Sequence, residues 1–473
     1  MTASSVGFIA IGRPTFDVAA GRRYARMALG RLRDAVDGCV GTDTVFTEPA
    51  EVSAVVGEWP DRLDAVVVAH ATFSDSSLVA AVREQVTAQL VLWAFPERRT
   101  GDRLRLNSLC GLNLAAYLLG RLDPLGPAPA RLFVDPSSPG ATERLAVALA
   151  RPTRVRPAIS APPDPAAPDP AALLRADALR ARLARARIGV IGEPPVGFEP
   201  CAVEPAVVAS NIGTTIRTVA LEDLFVRAEA ATGSQVGELV ERVSRRMAGV
   251  DRLDPEGVRR SLRLHVALTD LAADNGWDGV APRCWPECFT DNGGACCTPL
   301  ALAIGDGLAG ACEADALGAV ITLALGDLAG GDAFVADLVD VAHEGDGETA
   351  VLWHCGAAPL SMAATERPAA GVHVNREIPL VGDFGLRPGR VTIARFSRSR
   401  GTTRLVVGAG TVVDGPAPFR GTSGVVRMDP GGRGLLDIVV DEGLEHHYGF
   451  VYGDVTDELE ALAALLALPL VRL

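Results

Sequence analysis

The sequence predicts an α/β protein in three parts: an N-terminal parallel sheet, a second α/β unit and a C-terminal β-barrel-like unit. Strand-length apolar runs alternate with helical-period segments over the first 150 residues, which indicates a parallel sheet covered on both faces. A stretch with seven prolines follows at 152–175, too many for a helix or a central strand. From about residue 349 the pattern becomes short strands separated by Gly, Pro or Asp turns, which suits a barrel or sandwich. At roughly 150 residues per domain, a chain of 473 residues holds about three domains.

The elements follow in order. VGFIAIG (6–12) is a buried-strand run, and GRRYARMALGRLRDAV (21–36) spaces Ala, Met and Leu as a helix does. LDAVVVAHATF (63–73), QLVLWAFP (89–96) and ARLFVDP (130–136) are further strands, with VAAVREQV and NLAAYLLGRL as helices between them. The N-terminal unit therefore spans 1–151, and 152–186 is a Pro-rich linker with a leading helix. RIGVIGEPPVGFEP opens the second unit, 187–348, whose helices include VGELVERVSRRM and PEGVRRSLRLHVALTDLAADNG. The third unit, 349–473, contains AVLWHCG, GVHVNREIPLV, RVTIARFSR, TRLVVGAGTVV, SGVVRMDP and LLDIVVDEG as strands.

Composition excludes several chemistries. All 45 basic residues are arginine; there is no lysine. A Schiff-base aldolase, a lysine-anchored pyridoxal enzyme and a Walker P-loop each need that amine, and a guanidinium is no substitute. The net charge of −13 argues against nucleic acid or an anionic membrane as partner. No apolar run approaches the roughly 18 residues of a membrane span. The N-terminus lacks the basic region of a signal peptide. Nine cysteines, an odd number in a chain large enough to fold without staples, point to a reduced, cytoplasmic compartment.

Candidate motifs differ in weight. Gly305-x-Gly307-x-x-Gly310 matches the dinucleotide fingerprint but does not follow a clear strand. Cys284, Cys288, Cys296 and Cys297 lack the paired CxxC spacing of structural zinc, so buried unlinked thiols are the better reading. No GxSxG elbow appears. What remains is acidic residues and histidines in apolar surroundings: Glu313 and Asp315 in AGACEADALGAV, Asp337 in GDAFVADLVDV, and His446 and His447 in GLEHHYGFVYGDV. Such groups are seldom buried unless paired or bound to a metal.

GFIAIGRPTFD, LWAFPERRTGDRLRLNSLCGLN (around 91–113), RCWPE (283–287), ACEADALGA (311–319), FVADLVD (334–340), WHCGAAP (353–359) and HHYGFVYGD (446–454) occur in an order that resembles the L-fucose isomerase family, with L-arabinose isomerases as more distant relatives. The resemblance covers nearly the whole chain. It implies a flavodoxin-like N-terminal domain and a metal-dependent aldose–ketose isomerase acting through an enediol on a hexose or deoxyhexose of the L-fucose or D-arabinose type. It makes Glu313 and Asp337, 24 residues apart, the acid–base carboxylates and metal ligands, and His447 the third ligand. Mn²⁺ suits such a site, with Mg²⁺ or Co²⁺ as substitutes. Arg13, Trp285, Cys355 and His446 are implied substrate contacts, Arg13 from a neighbouring subunit of a trimer or hexamer with active sites between subunits.

Two alternatives stand beside this reading. The same mechanism fits a C6-modified hexose such as sulfoquinovose, its sulfonate held by arginines; Arg13 and the Arg98–Arg99 pair motivate that option. A non-catalytic sugar-binding protein would be favoured had Glu313, Asp337 or His447 been replaced, and all three are present.

Overall fold

The computed structural model describes residues 5–164, 169–344, 347–430 and 433–473. Residues 165–168 of the expected Pro-rich linker lie outside the described residues. The first sheet contains β1 (Val6–Ile11), β2 (Cys39–Phe46), β3 (Ala65–His70), β4 (Gln89–Ala94), β5 (Ala128–Phe133) and β6 (Thr153–Arg154). Its order is β2-β1-β3-β4-β5-β6, parallel except for β6. The first five strands thus follow the 2-1-3-4-5 order of flavodoxin-like sheets. β1 and β3 are buried along their whole length, as a sheet covered on both faces requires.

The second sheet holds β7 (Arg187–Ile191), β8 (Thr215–Val219), β9 (Gly279–Pro282) and β10 (Ala309–Gly310), all parallel in the order β10-β9-β7-β8. Both parallel sheets reverse their winding beside the first strand, and a crevice forms at the carboxyl ends of strands there.

The third sheet is built from β11 (Ala333–Glu344), β12 (Gly347–His354), β13 (Ala369–Val372), β14 (Pro379–Gly385), β15 (Gly389–Ser397), β16 (Arg404–Val412), β17 (Thr422–Met428), β18 (His447–Tyr452) and β19 (Leu470–Arg472). It is a nine-stranded mixed sheet in which the extra pairing of β16 to β17 links β17, β12, β11, β18, β15 and β16 in a ring, so the C-terminal strands are barrel-like in their pairing but include β11 from before the expected boundary. The expected boundary at 348/349 falls inside the β11–β12 hairpin, so Asp337 belongs to this sheet and not to the second one. β11 reads like the parallel strands before it because nearly all its described side chains are buried, which hides its antiparallel pairing from the sequence. LLDIVVDEG, expected as a strand, is the helix Leu435–Glu442. Among the described residues no helix is long and apolar enough to cross a membrane.

His70 closes β3 fully buried, its Nδ1 2.7 Å from Ser74 Oγ. Burial pushes its pKa down to about 3, below the 6.5 of an exposed imidazole. The folded state therefore keeps the ring neutral while the unfolded chain takes a proton between those values. The resulting stability is complete above pH 6.5 and is lost as pH falls toward 3, by up to about 1.4 kcal/mol per pH unit. Urea unfolding at pH 7 and pH 5 checks this: wild type is expected to lose about 2 kcal/mol more than His70→Asn.

Candidate active site

Glu313 sits on the turn between β10 and the helix Ala316–Ala329. It and Ala314 both take left-handed backbone, φ 60° and 55°, which costs a non-glycine residue on the order of 1–3 kcal/mol. Two local bonds hold the turn: Ala314 N donates to Pro282 O at 3.1 Å, and Asp315 caps the helix by accepting from Gly318 N at 2.9 Å. Asp337 lies on β11, whose register pairs it with Trp353 of β12 on one side and His447 of β18 on the other. The sheet register therefore brings Asp337 and His447 together across a sequence gap that no local pattern spans.

The three side chains converge. His447 Nε2 lies 3.4 Å from both Glu313 Oε2 and Asp337 Oδ1. Its other nitrogen, Nδ1, lies 2.9 Å from Asp315 Oδ2. Asp315 also forms a two-point pair with Arg395 at 2.6 and 3.1 Å, and both side chains are fully buried. Glu445 stands behind Arg395 at 3.7 Å. Burial opposes Asp315 ionising, but Arg395 and His447 outweigh it and hold its carboxyl well below the usual range. An ionised Asp315 accepts, so His447 Nδ1 donates and the neutral ring turns a lone pair toward two carboxylates. Burial and the neighbouring His446 both keep the His447 ring from charging.

A lone pair facing two carboxylates is repulsive unless a cation lies among them. Asp337 Oδ1 is buried with no hydrogen-bond partner. Two carboxylate oxygens and one imidazole nitrogen, with the imidazole oriented by a carboxylate behind it, are the donors of a hard or borderline divalent cation. The donor types present therefore suit such an ion, and Glu313 and His447 belong, with Cys201 and His446, to a cluster whose donor atoms lie within 4.8 Å of one another.

Electrostatics separate the neighbouring groups. Burial would raise the Glu313 carboxyl, but the His446 bond and the charges of His446 and His354 hold it well below the usual carboxylate range. His446, 3.3 Å from Glu313 Oε2, is drawn upward by Glu313 and Asp337 against the lowering effect of burial. Trp285 Nε1 donates to Glu313 Oε1 at 3.0 Å and fixes the second oxygen.

Glu313 and Asp337 face a pocket that Arg13, Phe73, Phe198, Trp285, His354 and Cys355 also line. Arg13 follows β1 and Phe73 follows β3; Phe198 follows β7 and Trp285 follows β9. The reversal points of both parallel sheets thus open onto one cavity. Its aromatic wall runs Phe16–Phe73–Phe198–Trp285 with ring centroids 5.0–5.7 Å apart.

Several expectations need correction. Arg13 lines the pocket of its own chain, bonded to Asp75 at 2.7 Å and lying 4.6 Å over the Trp285 ring, where the resemblance implied a neighbouring subunit. His446, expected at the substrate, lies beneath the pocket wall and supports Glu313. Arg98 is exposed, and Arg99 is bonded to Asp340 at 2.8 Å, so the pair does not line the pocket. The Gly305–Gly310 motif joins the helix Cys297–Gly305 to β10, the reverse of a dinucleotide turn. Cys284, Cys288, Cys296 and Cys297, by contrast, are buried free thiols as expected, and Cys297 Sγ lies 3.4 Å from Cys355 Sγ.

Sequence reasoning missed Arg395, Glu445 and His354. His354 Nε2 lies 2.7 Å from Cys312 Sγ, and its ring is drawn above the usual imidazole range, against burial, by Cys355 and by the carboxylates of Asp337 and Glu313. A signal existed for Arg395: an Arg within the run VTIARF, flanked by apolar residues, demands a buried partner.

Residues 352–473 match the family described as L-fucose isomerase, C-terminal domain. A sulfoquinovose isomerase of Priestia megaterium is 30% identical over 473 residues, covering 99% of both chains. Sulfoquinovose isomerases of Alkalicoccus urumqiensis and of a Clostridium species are 28% and 27% identical, covering 91% and 99% of this chain and 90% and 99% of those proteins.

Proposed function

Because the chain belongs to the L-fucose isomerase-like family and is a sugar aldose–ketose isomerase, we propose that it interconverts sulfoquinovose with its ketose, using Glu313, Asp337 and His447 as a divalent-metal site. The observation that carries the mechanism is the convergence of a neutral imidazole with two carboxylates, one bearing a buried oxygen without a partner. The C6-sulfonated substrate is favoured over L-fucose by the full-length relatives, all named for it.

A cation held by these three residues, Mn²⁺ with Mg²⁺ or Co²⁺ as substitutes, would polarise the sugar carbonyl and stabilise the charge that builds between O1 and O2. The side chains supply the rest. One carboxylate removes the C2 proton of the aldose, and a protonated group returns a proton to C1 while the hydroxyl proton moves from O2 to O1. Glu313 stays ionised because of its histidine neighbours and suits the accepting role. Trp285 restricts Glu313 to one rotamer, and Asp315 restricts His447 to one tautomer. The aromatic wall limits water around the reacting carbons.

Chelation followed by a metal and substrate panel tests the reading. EDTA-treated protein is expected to lose isomerisation of sulfoquinovose and to regain it with Mn²⁺. Solvent deuterium should enter the product at the transferred position. Full turnover of chelated protein rejects the metal-assisted proton transfer. A trimer or hexamer is proposed from the family resemblance, and sedimentation velocity tests it; Arg13 supplies no argument for an intersubunit site.

A further inference from the structure

The turn between β13 and β14 is tightly bonded. His373 N donates to Ile378 O at 2.9 Å, Arg376 N and Glu377 N donate to His373 O at 3.1 and 2.8 Å, and Glu377 takes a left-handed φ of 57°. These bonds fix the two residues at its tip. Asn375 and Arg376 line both the deep pocket and the depression at its mouth.

The charges at that mouth do not balance. The Arg376 guanidinium has no carboxylate or hydrogen-bond acceptor among the described residues and rests 5.8 Å over the Phe289 ring. Arg103 is likewise without a carboxylate; its Nε donates to Asn375 Oδ1 at 2.9 Å, and its NH2 to Thr15 O at 3.4 Å. Arg13 is compensated by Asp75. Asp17 also lines the mouth, but it caps the helix Val18–Ala35 and lies 4.0 Å from Arg105. Burial and the charge of Arg13 both push the Arg376 guanidinium down, the mark of a cation lacking its counterion. A chain of net charge −13 thus keeps guanidinium groups in excess at this opening. Arg103 occupies the oxygen of the Asn375 amide, which leaves the NH2 as a donor.

Resting on the isomerase reading above, we propose that Arg376, with the Asn375 amide and Arg13, is the subsite for the anionic C6 group of the sugar. The planar guanidinium meets two oxygens of a tetrahedral anion and the amide meets the third, while the C1–C2 end reaches Glu313 and Asp337. Arg103 acts as a positioning residue that holds the Asn375 amide in one orientation. Specificity then resides mainly on the β13–β14 turn, with Arg13 at the end of β1, while the chemistry resides on β11, β18 and the Glu313 turn.

The test compares kcat/KM for sulfoquinovose with that for quinovose, its uncharged C6-methyl counterpart, in wild type, Arg376→Gln and Arg376→Lys. Wild type should prefer the sulfonate. Arg376→Gln should lower the preference ratio about 10- to 100-fold, mostly through KM, the worth of a charge-assisted hydrogen bond. Arg376→Lys keeps the charge but loses the fork and should fall between. Asn375→Ala should shift the ratio in the same direction if Arg376→Gln does not fold. A ratio unchanged within about threefold in both the Gln and Lys variants overturns the subsite and leaves the isomerase reading intact. Wild type that isomerises quinovose but not sulfoquinovose overturns both. If neither sugar turns over, the functional reading falls, and calorimetric binding of sulfoquinovose to wild type and Arg376→Gln decides the subsite: equal affinity removes it, and a loss of about tenfold or more sustains it.

Discussion

Glu313→Gln is expected to lower kcat by about 10²–10⁴-fold, the usual contribution of one general acid–base group. The exchange is isosteric, and the amide oxygen can still accept from Trp285 Nε1, so the pocket keeps its shape. The strained backbone at Glu313 and Ala314 is unaffected because it depends on bonds from neighbouring residues. Steady-state isomerisation, together with a thermal melt, checks both halves. Activity above about a tenth of wild type would remove Glu313 from the chemistry. A collapsed melting temperature would show that the loss comes from the fold instead.

Asp315→Asn is expected to act on stability first. Arg395 and Asp315 are both fully buried and form a two-point pair, with Glu445 at 3.7 Å as the remaining counterion. Breaking such a pair from one side leaves a buried charge poorly compensated, at a cost of about 3–5 kcal/mol. The same change removes the negative charge that sets the His447 tautomer, so affinity for Mn²⁺ should fall about 10- to 100-fold. Denaturant unfolding measures the first effect and metal titration the second. The triple replacement Asp315→Leu, Arg395→Met and Glu445→Gln separates them: with no buried charge left over at Glu445 it should recover much of the stability without recovering metal affinity. An unfolding free energy for Asp315→Asn within about 1 kcal/mol of wild type would show that the pair is not a keystone of the fold.

Three catalytic candidates were legible in the sequence because each sits in a short motif: Glu313 in ACEADALGA, Asp337 in FVADLVD and His447 in HHYGFVYGD. The parallel first sheet was legible because strand and helix periods differ. The limits are equally specific. Arg395 lies 80 residues from Asp315, and no local pattern indicates that they pair. Arg376 lies in GVHVNREIPLV, expected as one strand; the structure breaks that run into β13 and β14, and only this turn shows Arg376 to lack a counterion. Of the arginines that motivated a sulfonate site, Arg13 lines the pocket, whereas Arg98 is exposed and Arg99 already has a carboxylate.

By itself the sequence determined which chemistries the chain lacks and which residue types it has for isomerisation. No lysine means no amine catalysis, and carboxylates and histidines in apolar segments demand buried partners. Tertiary structure alone decided how those residues are used. The antiparallel register of β11 and β18 places Asp337 opposite His447, and a buried Asp315–Arg395 pair orients the imidazole. The facing reversal points of two parallel sheets form the cavity beside them. The physical reason is range. Periodicity and motif are properties of neighbouring residues, whereas the protonation of His447 and the charge left over at Arg376 depend on groups brought close only when the whole chain is packed.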